Sequence, residues 1–342
     1  MPELLQLAEK GLYCAAGDFY IDPCRGVERA LVTHAHSDHA RPGSQNYLTS
    51  ASGAPLLRER VGKKSNVEGL PFGEARMING VTVSFHPAGH ILGSSQIRIE
   101  QRGEVWVASG DYNTWPDSAC EPFEPVRCHA FVSESTFALP IYRWRPEREI
   151  LTEINQWWAA NAAQARVSVV FAHSLGKSQR LLAGVDASIG PLVAHETIAR
   201  FLPAYAAGGI GLPKVHTSQA ASLMAGGKGA LVIAPFAARG TPWLLESSDA
   251  ATAFASGWMQ LRSMRHRLRV DRGFVLSDHA AWAGLLSAIR ATQAERVLVT
   301  HGYDVILVRY LRQQGTNADI LTPGGPCPKE NLETLQPTPG NA

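Results

Sequence analysis

The 342-residue sequence has few cysteines, and none of the five belongs to a C-x-x-C pair. Their odd number and wide spacing argue against a disulfide framework or a zinc knuckle, so we expect reduced thiols. No uninterrupted apolar run reaches membrane-spanning length, and Met1-Pro2-Glu3-Leu4 does not open a signal-peptide pattern. These absences predict a soluble, cytoplasmic protein with no membrane partner.

The chain also lacks a large charge of either sign, since its formal net charge is only +2. It is therefore not a polycation, and any binding to nucleic acid must come from local patches. The densest basic run contains Arg262, Arg265, Arg267 and Arg269. A solvated helix face is the ordinary explanation of such a run, and a nucleic-acid contact is the alternative.

One six-residue stretch, His34-Ala35-His36-Ser37-Asp38-His39, concentrates metal-binding side chains directly after the apolar run Ala30-Leu31-Val32. Alternation places His34 and His36 on one face of an extended segment. A turn through Asp38 and His39 can direct further ligands toward a second ion. Neutral imidazoles and ionised carboxylates that converge in this way are typical of metal sites. The stretch alone suggests a dinuclear hydrolase.

Three further candidate ligands stand where a strand pattern ends in a loop. His90 lies among glycines after the alternating segment 81–85, Asp111 closes the run 105–111, and His301 closes the run 296–301. Strand ends are positions where a rigid scaffold presents functional side chains. Together with the opening cluster, these residues predict a metal centre.

The ordered motifs resemble those of the metallo-β-lactamase superfamily and, within it, the β-CASP nucleases. The likeness is nearest to bacterial exonucleases associated with DNA ligases, relatives of Artemis and the crosslink-repair nucleases, and extends from about residue 10 to about residue 320. It implies one zinc ion held by His34, His36 and His90. It implies a second ion held by Asp38, His39 and His301, with Asp111 bridging the two and Asp22 orienting the cluster from behind.

Two more residues match the β-CASP subgroup. Glu134 in Val-Ser-Glu-Ser-Thr-Phe resembles the acidic motif A, and His279 in Val-Leu-Ser-Asp-His-Ala resembles the motif B histidine. The resemblance implies that His279 contacts the scissile phosphate and assists the leaving oxygen, with Glu134 orienting it. A histidine beside a carboxylate is also a reasonable general acid on chemical grounds. The alternative for His279 is a buried histidine bonded to a backbone carbonyl.

The ligand set predicts catalysis by two ions. A pair of ions about 3.5–4 Å apart lowers the pKa of a bridging water and binds both oxygens of an in-line phosphoryl displacement. With Asp38, Asp111, Glu134 and His279 as the catalytic residues, the expected reaction is phosphodiester hydrolysis. The mixture of His and Asp ligands favours zinc, and Mn²⁺ accepts similar sites.

The strand and turn pattern changes twice along the chain. Residues up to about 140 read as short strands with Gly/Pro turns, whereas the middle alternates a helix over 147–163, a strand over 166–171, a helix from 176 and a strand over 230–234. We therefore expect an α/β protein, in which a metallo-β-lactamase αββα sandwich (1–144 and 272–321) carries an inserted α/β β-CASP cap (145–271) that forms a cleft for nucleic acid. Residues 322–342, rich in proline and glycine, are expected to form a flexible tail.

Ser174-Leu175-Gly176-Lys177-Ser178 has part of a phosphate-loop pattern. Phe171 occupies the position of the required upstream glycine, so we reject nucleotide binding. A similar Gly-Lys segment belongs to the cap of β-CASP relatives, and Lys177 is therefore a candidate contact to the nucleic-acid backbone.

The resemblance favours a metal-dependent DNA exonuclease that trims ends in DNA repair, in the 5′-to-3′ direction of the Artemis group. It implies single-stranded DNA or duplex ends as substrate, and a DNA ligase and helicase as partners. One departure from the Artemis pattern leaves an RNA-processing enzyme as an alternative function, because Artemis-type enzymes usually have an apolar residue where this chain has His301. The remaining alternatives are a non-catalytic binding or scaffold subunit, which the full ligand set opposes, and a small-molecule hydrolase such as a thioesterase, which Glu134, His279 and the inserted module oppose.

Overall fold

The computed structural model describes residues 3–217, 229–245 and 249–321. The predicted tail at 322–342 and Cys327 lie outside the described residues. The strands, in chain order, are β1 (Gln6–Ala8), β2 (Gly11–Cys14), β3 (Phe19–Ile21), β4 (Arg29–Leu31), β5 (Asn46–Ser50), β6 (Asn66–Leu70), β7 (Arg76–Ile78), β8 (Val81–Pro87), β9 (Ser95–Gln101), β10 (Glu104–Ala108), β11 (Ala130–Ser135), β12 (Ser168–Phe171), β13 (Leu192–Ala194), β14 (Val215–His216), β15 (Leu231–Ala234), β16 (Ala251–Ala255), β17 (Arg272–Phe274), β18 (Arg296–Gly302) and β19 (Asn317–Ile320).

The helices within the described ranges are Ala54–Val61, Glu147–Ala162, Lys177–Gly184, Glu196–Ala199, Leu202–Ala207, Pro242–Leu245, Arg262–Leu268, Trp282–Thr292 and Asp304–Gln313. Two short 3₁₀ helices, Phe236–Ala238 and Gly257–Gln260, complete the helical elements of this part of the chain. This content agrees with the predicted α/β class.

The chain divides into two compact units. The first takes in the residues up to Pro116, Cys120–Arg143 and the described residues from His279 onward; the second takes in Asp117–Ala119 and Trp144–Asp278. The second unit therefore runs to Asp278, beyond the boundary at 271 that the sequence pattern suggested. The assignment of the two domains to a sandwich and a cap stays a prediction.

The first unit is built on two sheets. Their strand orders, for the described residues, are β1-β2-β3-β4-β5-β6 and β19-β18-β11-β10-β9-β8-β7. Phe19 and Leu31 of the first sheet share one core with Val83 and Trp106 of the second. The sheets therefore pack face to face through their apolar sides.

Helices cover the outer faces of both sheets in the first unit. Leu57 of the helix Ala54–Val61 packs with residues of β4 and β5, and Leu285 and Leu307 of two later helices pack with Val107 and Phe131. Along β10, Trp106 faces the other sheet while Val107 faces the helices, as the two-residue period of a strand requires. The layers run helix, sheet, sheet, helix.

The second unit is a three-layer α/β arrangement. Its strands are all parallel and follow the order β14-β13-β15-β12-β16-β17 within the described residues. Val170 packs with Trp158 on one side, whereas Val169 and Phe171 pack with Met264 on the other. Because both faces of the sheet are covered, its strands are apolar without alternation.

Cys14, Cys120 and Cys128 are free, in agreement with the expectation of reduced thiols.

Among the described residues, no helix combines the length and the hydrophobicity needed to cross a bilayer.

Candidate metal centre

The candidate ligands lie at one edge of the first unit, where its parallel strands end. Asp22 and His34 follow β3 and β4, which are parallel to each other, and Asp111 follows β10. The strand β18, parallel to β11, carries His301 near its end. Asp22 (φ 45°) and His301 (φ 56°) adopt the left-handed backbone conformation that residues other than glycine rarely adopt. The backbone is therefore strained at two positions of the candidate site.

Three histidine rings converge on a single carboxylate oxygen, Oδ2 of Asp111. The Nε2 atoms of His34, His39 and His90 lie 3.6, 3.5 and 3.7 Å from it. N–H···O hydrogen bonds span about 2.7–3.2 Å, so these separations are too long for direct hydrogen bonds. The Nε2 atoms of His34 and His39 are buried and have no hydrogen-bond partner among the described residues. Buried nitrogens in this state require another electrostatic partner.

The spacing of the donor atoms fits a bound cation. His34, His36, His90 and Asp111 each offer one ligand atom, and these atoms lie within 4.8 Å of one another. His36 Nδ1 lies 3.1 Å from His90 Nε2. Four ligands about 2.0–2.1 Å from a tetrahedral ion lie about 3.4 Å from one another, and the pairs His36–His90, His34–Asp111 and His90–Asp111 lie near this value, at 3.1, 3.6 and 3.7 Å. The donor set therefore fits a divalent metal ion.

A second group of donors adjoins the first at His39. Asp38 Oδ2 lies 3.7 Å from His39 Nε2, and this nitrogen is also 3.5 Å from Asp111 Oδ2. The ring of His301, an exposed residue, stacks with the His39 ring at a centroid distance of 5.7 Å. The structure thus brings Asp38, His39 and His301 together beside Asp111, with His301 at the outer rim.

Burial and mutual repulsion hold His34 in its metal-binding protonation state. Desolvation, reinforced by the neighbouring histidines, lowers the pKa of His34 well below its ordinary value. For His39, burial opposes the charged form, but the Asp111, Asp38 and Asp22 carboxylates outweigh it and raise its pKa well above the ordinary value. Burial also opposes ionisation of Asp111, but the surrounding histidines outweigh it and lower its pKa. The centre therefore contains a neutral imidazole and an ionised carboxylate, both suited to bind a cation.

Thr33 is a residue that sequence reasoning missed. Its backbone N–H and Oγ1–H donate to the two carboxylate oxygens of Asp22 (2.8 and 2.6 Å), and its Oγ1 lies 3.0 Å from Nδ1 of His34. Asp22 in turn lies 2.7 Å from Nδ1 of His39. Gly110 has a left-handed φ of 56°, and a Cβ there would lie 2.7 Å from Cβ of Thr33. The only sequence signal for Thr33 was its position next to the histidine motif.

Thr33→Val is expected to weaken metal binding about 10- to 100-fold, because the substitution removes the hydroxyl that orients Asp22 and, through it, His39. Valine keeps the shape and the strand preference of threonine. Competitive titration with a chromogenic chelator measures the affinity. Thr82→Val, on the half-exposed side of β8, is the matched control and is expected to leave the affinity unchanged. Equal affinities for both variants would contradict an orienting role of Thr33.

A histidine–carboxylate pair lies beside the metal-ligand cluster. His279 Nδ1 is 2.9 and 3.0 Å from the two carboxylate oxygens of the buried Glu134. Glu134 also accepts hydrogen bonds from the Tyr112 backbone N–H (2.7 Å) and from the Thr136 hydroxyl. The His279 ring lies 4.5 Å, centroid to centroid, from the His90 ring. In this contact the partner of His279 is a side-chain carboxylate, not the backbone carbonyl that the sequence left open as an alternative.

The candidate nucleic-acid residues fall into two environments within the second unit. The four arginines at 262, 265, 267 and 269 are exposed on and after the helix Arg262–Leu268, which buries Met264 and Leu268 on its other side. Lys177, by contrast, is buried, with its Nζ 2.9 Å from Asp278 Oδ1. The role of Lys177 as a contact to nucleic acid stays a prediction.

No family model matches the chain. It is 31% identical over 311 residues, which is 90% of this chain and 30% of the relative, to a probable DNA ligase of Opitutus terrae. It is 30% identical to the endoribonuclease ysh-1 of Neurospora crassa over 46% of this chain and 20% of that protein. It is 28% identical to the cleavage and polyadenylation specificity factor 73 of Drosophila melanogaster over 51% of this chain and 26% of that protein. The chain therefore spans less than a third of each of these curated relatives.

A solved structure supports the fold. A protein of unknown function from Enterococcus faecalis superposes with a TM-score of 0.58 over 87% of this chain and 80% of its own, at 12% sequence identity. The sequence similarities support a relation to the metallo-β-lactamase and β-CASP nucleases. The buried His/Asp cluster offers the ligand atoms that a divalent metal ion would need.

Proposed function

We propose that this protein is a metallo-β-lactamase-fold DNA exonuclease that trims ends in DNA repair, working from the 5′ end. The observation that carries the proposal is the convergence of three histidine Nε2 atoms on Asp111 Oδ2, beside the His279–Glu134 pair. Hydrolysis of a phosphodiester needs both a charged centre for the phosphate and a proton donor for the leaving oxygen. The preference for DNA draws support from the relative that aligns with 90% of this chain, which is a probable DNA ligase.

The donor set would hold two divalent ions, with zinc as the favoured metal and manganese as the alternative. His34, His36 and His90 would bind one, Asp38, His39 and His301 the other, and Asp111 would lie between them. When bound, such ions increase the acidity of water and offset the negative charge that develops on the phosphate. Asp22 and Thr33 contact the Nδ1 atoms of His39 and His34, so that both rings direct Nε2 toward Asp111 Oδ2 and would offer it to a metal ion.

His279 would supply the proton that the leaving oxygen needs. The Glu134 carboxylate accepts from His279 Nδ1, which fixes the ring and leaves Nε2 as the nitrogen that faces a substrate. In this step a doubly protonated His279 donates Nδ1–H to Glu134 and Nε2–H to the leaving oxygen. A water molecule gives up one proton to solvent and attacks phosphorus, the bond to the leaving oxygen breaks, and the Nε2 proton passes to that oxygen, which departs as a hydroxyl group. The burial of Glu134 and its two further donors keep the carboxylate in place during this transfer.

An RNA-processing enzyme is the second candidate. His301 lies beside His39. His301 is also the residue at which the chain departs from the Artemis pattern. Relatives that align with about half of the chain are named as an endoribonuclease and as a cleavage and polyadenylation factor. A DNA ligase is the partner that the name of the longer-aligned relative supports, and a helicase partner stays a prediction.

Cleavage of DNA and RNA oligonucleotides of one sequence, labelled separately at the 5′ and 3′ ends, tests the proposal. We expect protein reconstituted with Zn²⁺ or Mn²⁺ to shorten DNA stepwise from the 5′ end, and chelator-treated protein to be inactive. Cleavage of RNA alone would establish the second candidate instead. Metal-loaded protein that cleaves neither polymer but hydrolyses a thioester would be a small-molecule hydrolase.

Replacing Arg265, Arg267 and Arg269 together by glutamine is expected to weaken DNA binding and to flatten its salt dependence. Each phosphate of a single strand that the variant no longer neutralises reduces the slope of log K against log salt by about 0.7, because one fewer counterion is released. Binding titrations at several salt concentrations measure the slope. The control replaces the exposed residues Lys63, Lys64 and Arg127, which gives the same change in charge. Equal slopes for both triple variants would identify the helix face as an ordinary solvated surface.

A further inference from the structure

The second unit contains buried charged side chains that the proposed chemistry does not use. Lys177 and Arg180, both at the start of the helix Lys177–Gly184, are 8% and 4% exposed. Their charges face three carboxylates, those of Asp117, Glu147 and Asp278. A buried charge persists only when it is paired and hydrogen-bonded, so this cluster requires a structural or functional reason.

The two cations bind consecutive residues of one chain segment. Arg180 Nη1 donates to the backbone carbonyl of Ser277 (2.8 Å), while its Nε lies 2.7 Å from Glu147 Oε1 and 3.1 Å from Asp117 Oδ2. Lys177 Nζ lies 2.9 Å from Asp278 Oδ1. Arg180 binds a carbonyl through Nη1 and two carboxylates through Nε, and the separate nitrogens of its planar guanidinium allow this arrangement, which the single nitrogen of a lysine does not.

The segment they bind lacks regular secondary structure and is nevertheless buried. Beyond β17, residues 275–278 form neither helix nor strand, and Leu276, Ser277 and Asp278 are each at most 6% exposed. Backbone groups in such a segment need partners other than a helix or a sheet. Charged donors give stronger hydrogen bonds than neutral ones, so Arg180 holds the Ser277 carbonyl, and Lys177 the Asp278 side chain, more firmly than neutral side chains would. The next residue in the chain is His279.

We propose that Lys177 and Arg180 are positioning residues, which fix the Asp278 side chain and the Ser277 carbonyl respectively and thereby orient His279. This inference rests on the proposed role of His279 in leaving-group protonation. Misplacement of a catalytic group by about 1 Å can cost about 100-fold in rate, so the placement of this one residue matters. In this role Lys177 acts through its contact to Asp278.

Arg180→Lys tests the carbonyl contact, because lysine keeps the charge but cannot reproduce the three-way contact. We expect kcat to fall about 10-fold, with the metal content and the KM unchanged. Lys177→Gln, which removes the charge facing Asp278, is expected to lower kcat in the same direction. Arg145→Lys is the matched control, since Arg145 pairs with Glu149 and Glu153 on the surface of the same unit. Melting temperatures verify that each variant is folded.

Two further readouts distinguish positioning from a general loss of stability. In a His279→Ala background, Arg180→Lys and Lys177→Gln are expected to change kcat less than about 2-fold, because effects that pass through one residue are not additive. In the NMR spectrum of the full chain, the His279 Nδ1–H signal, assigned by its loss in His279→Ala, is expected to shift in both variants and not in Arg145→Lys.

The outcomes separate this inference from the proposed function. An unchanged NMR signal in both variants, or an equal fall in kcat with and without His279, would overturn the positioning role even if the protein cleaves DNA. A shifted signal in a protein that cleaves no oligonucleotide would support the positioning of His279 and reject the proposed nuclease function.

Discussion

Asp111→Asn is expected to abolish phosphodiester hydrolysis, with a loss in kcat/KM of about 10³-fold or more. The reason lies in the position of Oδ2, which faces three histidine Nε2 atoms within 3.7 Å. Asparagine has nearly the same shape as aspartate but carries no negative charge. It therefore leaves the histidines in place and removes the anion that would lie between the two ions.

The measurement combines single-turnover cleavage with the metal content determined by mass spectrometry. We expect the metal-to-protein ratio of Asp111→Asn to fall below that of the wild-type protein. Asp249→Asn is the matched control, because the Asp249 side chain is 96% exposed and lies in the second unit. Full metal occupancy together with wild-type activity in Asp111→Asn would show that the cluster is not the hydrolytic centre.

The local elements of the chain followed from its periodicity. The strand expected over 81–85 forms as β8 (Val81–Pro87), and the helix expected over 147–163 forms as Glu147–Ala162. The run 230–234 forms β15 with one residue fewer. These predictions are confirmed because apolar spacing and turn residues act over a few neighbouring positions.

The candidate ligands could be named from the sequence because imidazoles and carboxylates with this spacing have few other uses. Their supporting residues could not. Arg180 reaches the Ser277 carbonyl across 97 positions, and His279 reaches Glu134 across 145. A threonine beside a histidine, or an arginine early in a helix, looks the same in sequence whether it orients a site or faces water. Tertiary packing alone distinguishes the two cases.

His279→Ala is expected to slow cleavage about 10²- to 10³-fold while the metal content stays at the wild-type level. A positioned general acid contributes a factor of this size. His279 donates Nδ1–H to Glu134 and is not one of the four residues, His34, His36, His90 and Asp111, that form the main ligand group, so its removal leaves that group complete. His216→Ala, at a half-buried position in β14, is the matched control and is expected to cleave at the wild-type rate.

The chemistry of the leaving group decides whether His279 donates a proton or only shapes the site. A substrate in which sulfur replaces the leaving oxygen of the scissile bond expels a thiolate, which is a weak base and needs no proton donor. If His279 is the general acid, His279→Ala should lose most of its activity on the oxygen substrate and nearly none on the sulfur substrate, with the same metal in both assays. An equal loss on both substrates would assign His279 to phosphate binding or to the shape of the site. Loss of metal from the variant would mean instead that His279 is a ligand, and the division between metal donors and proton donor proposed for this edge of the sheet would be wrong.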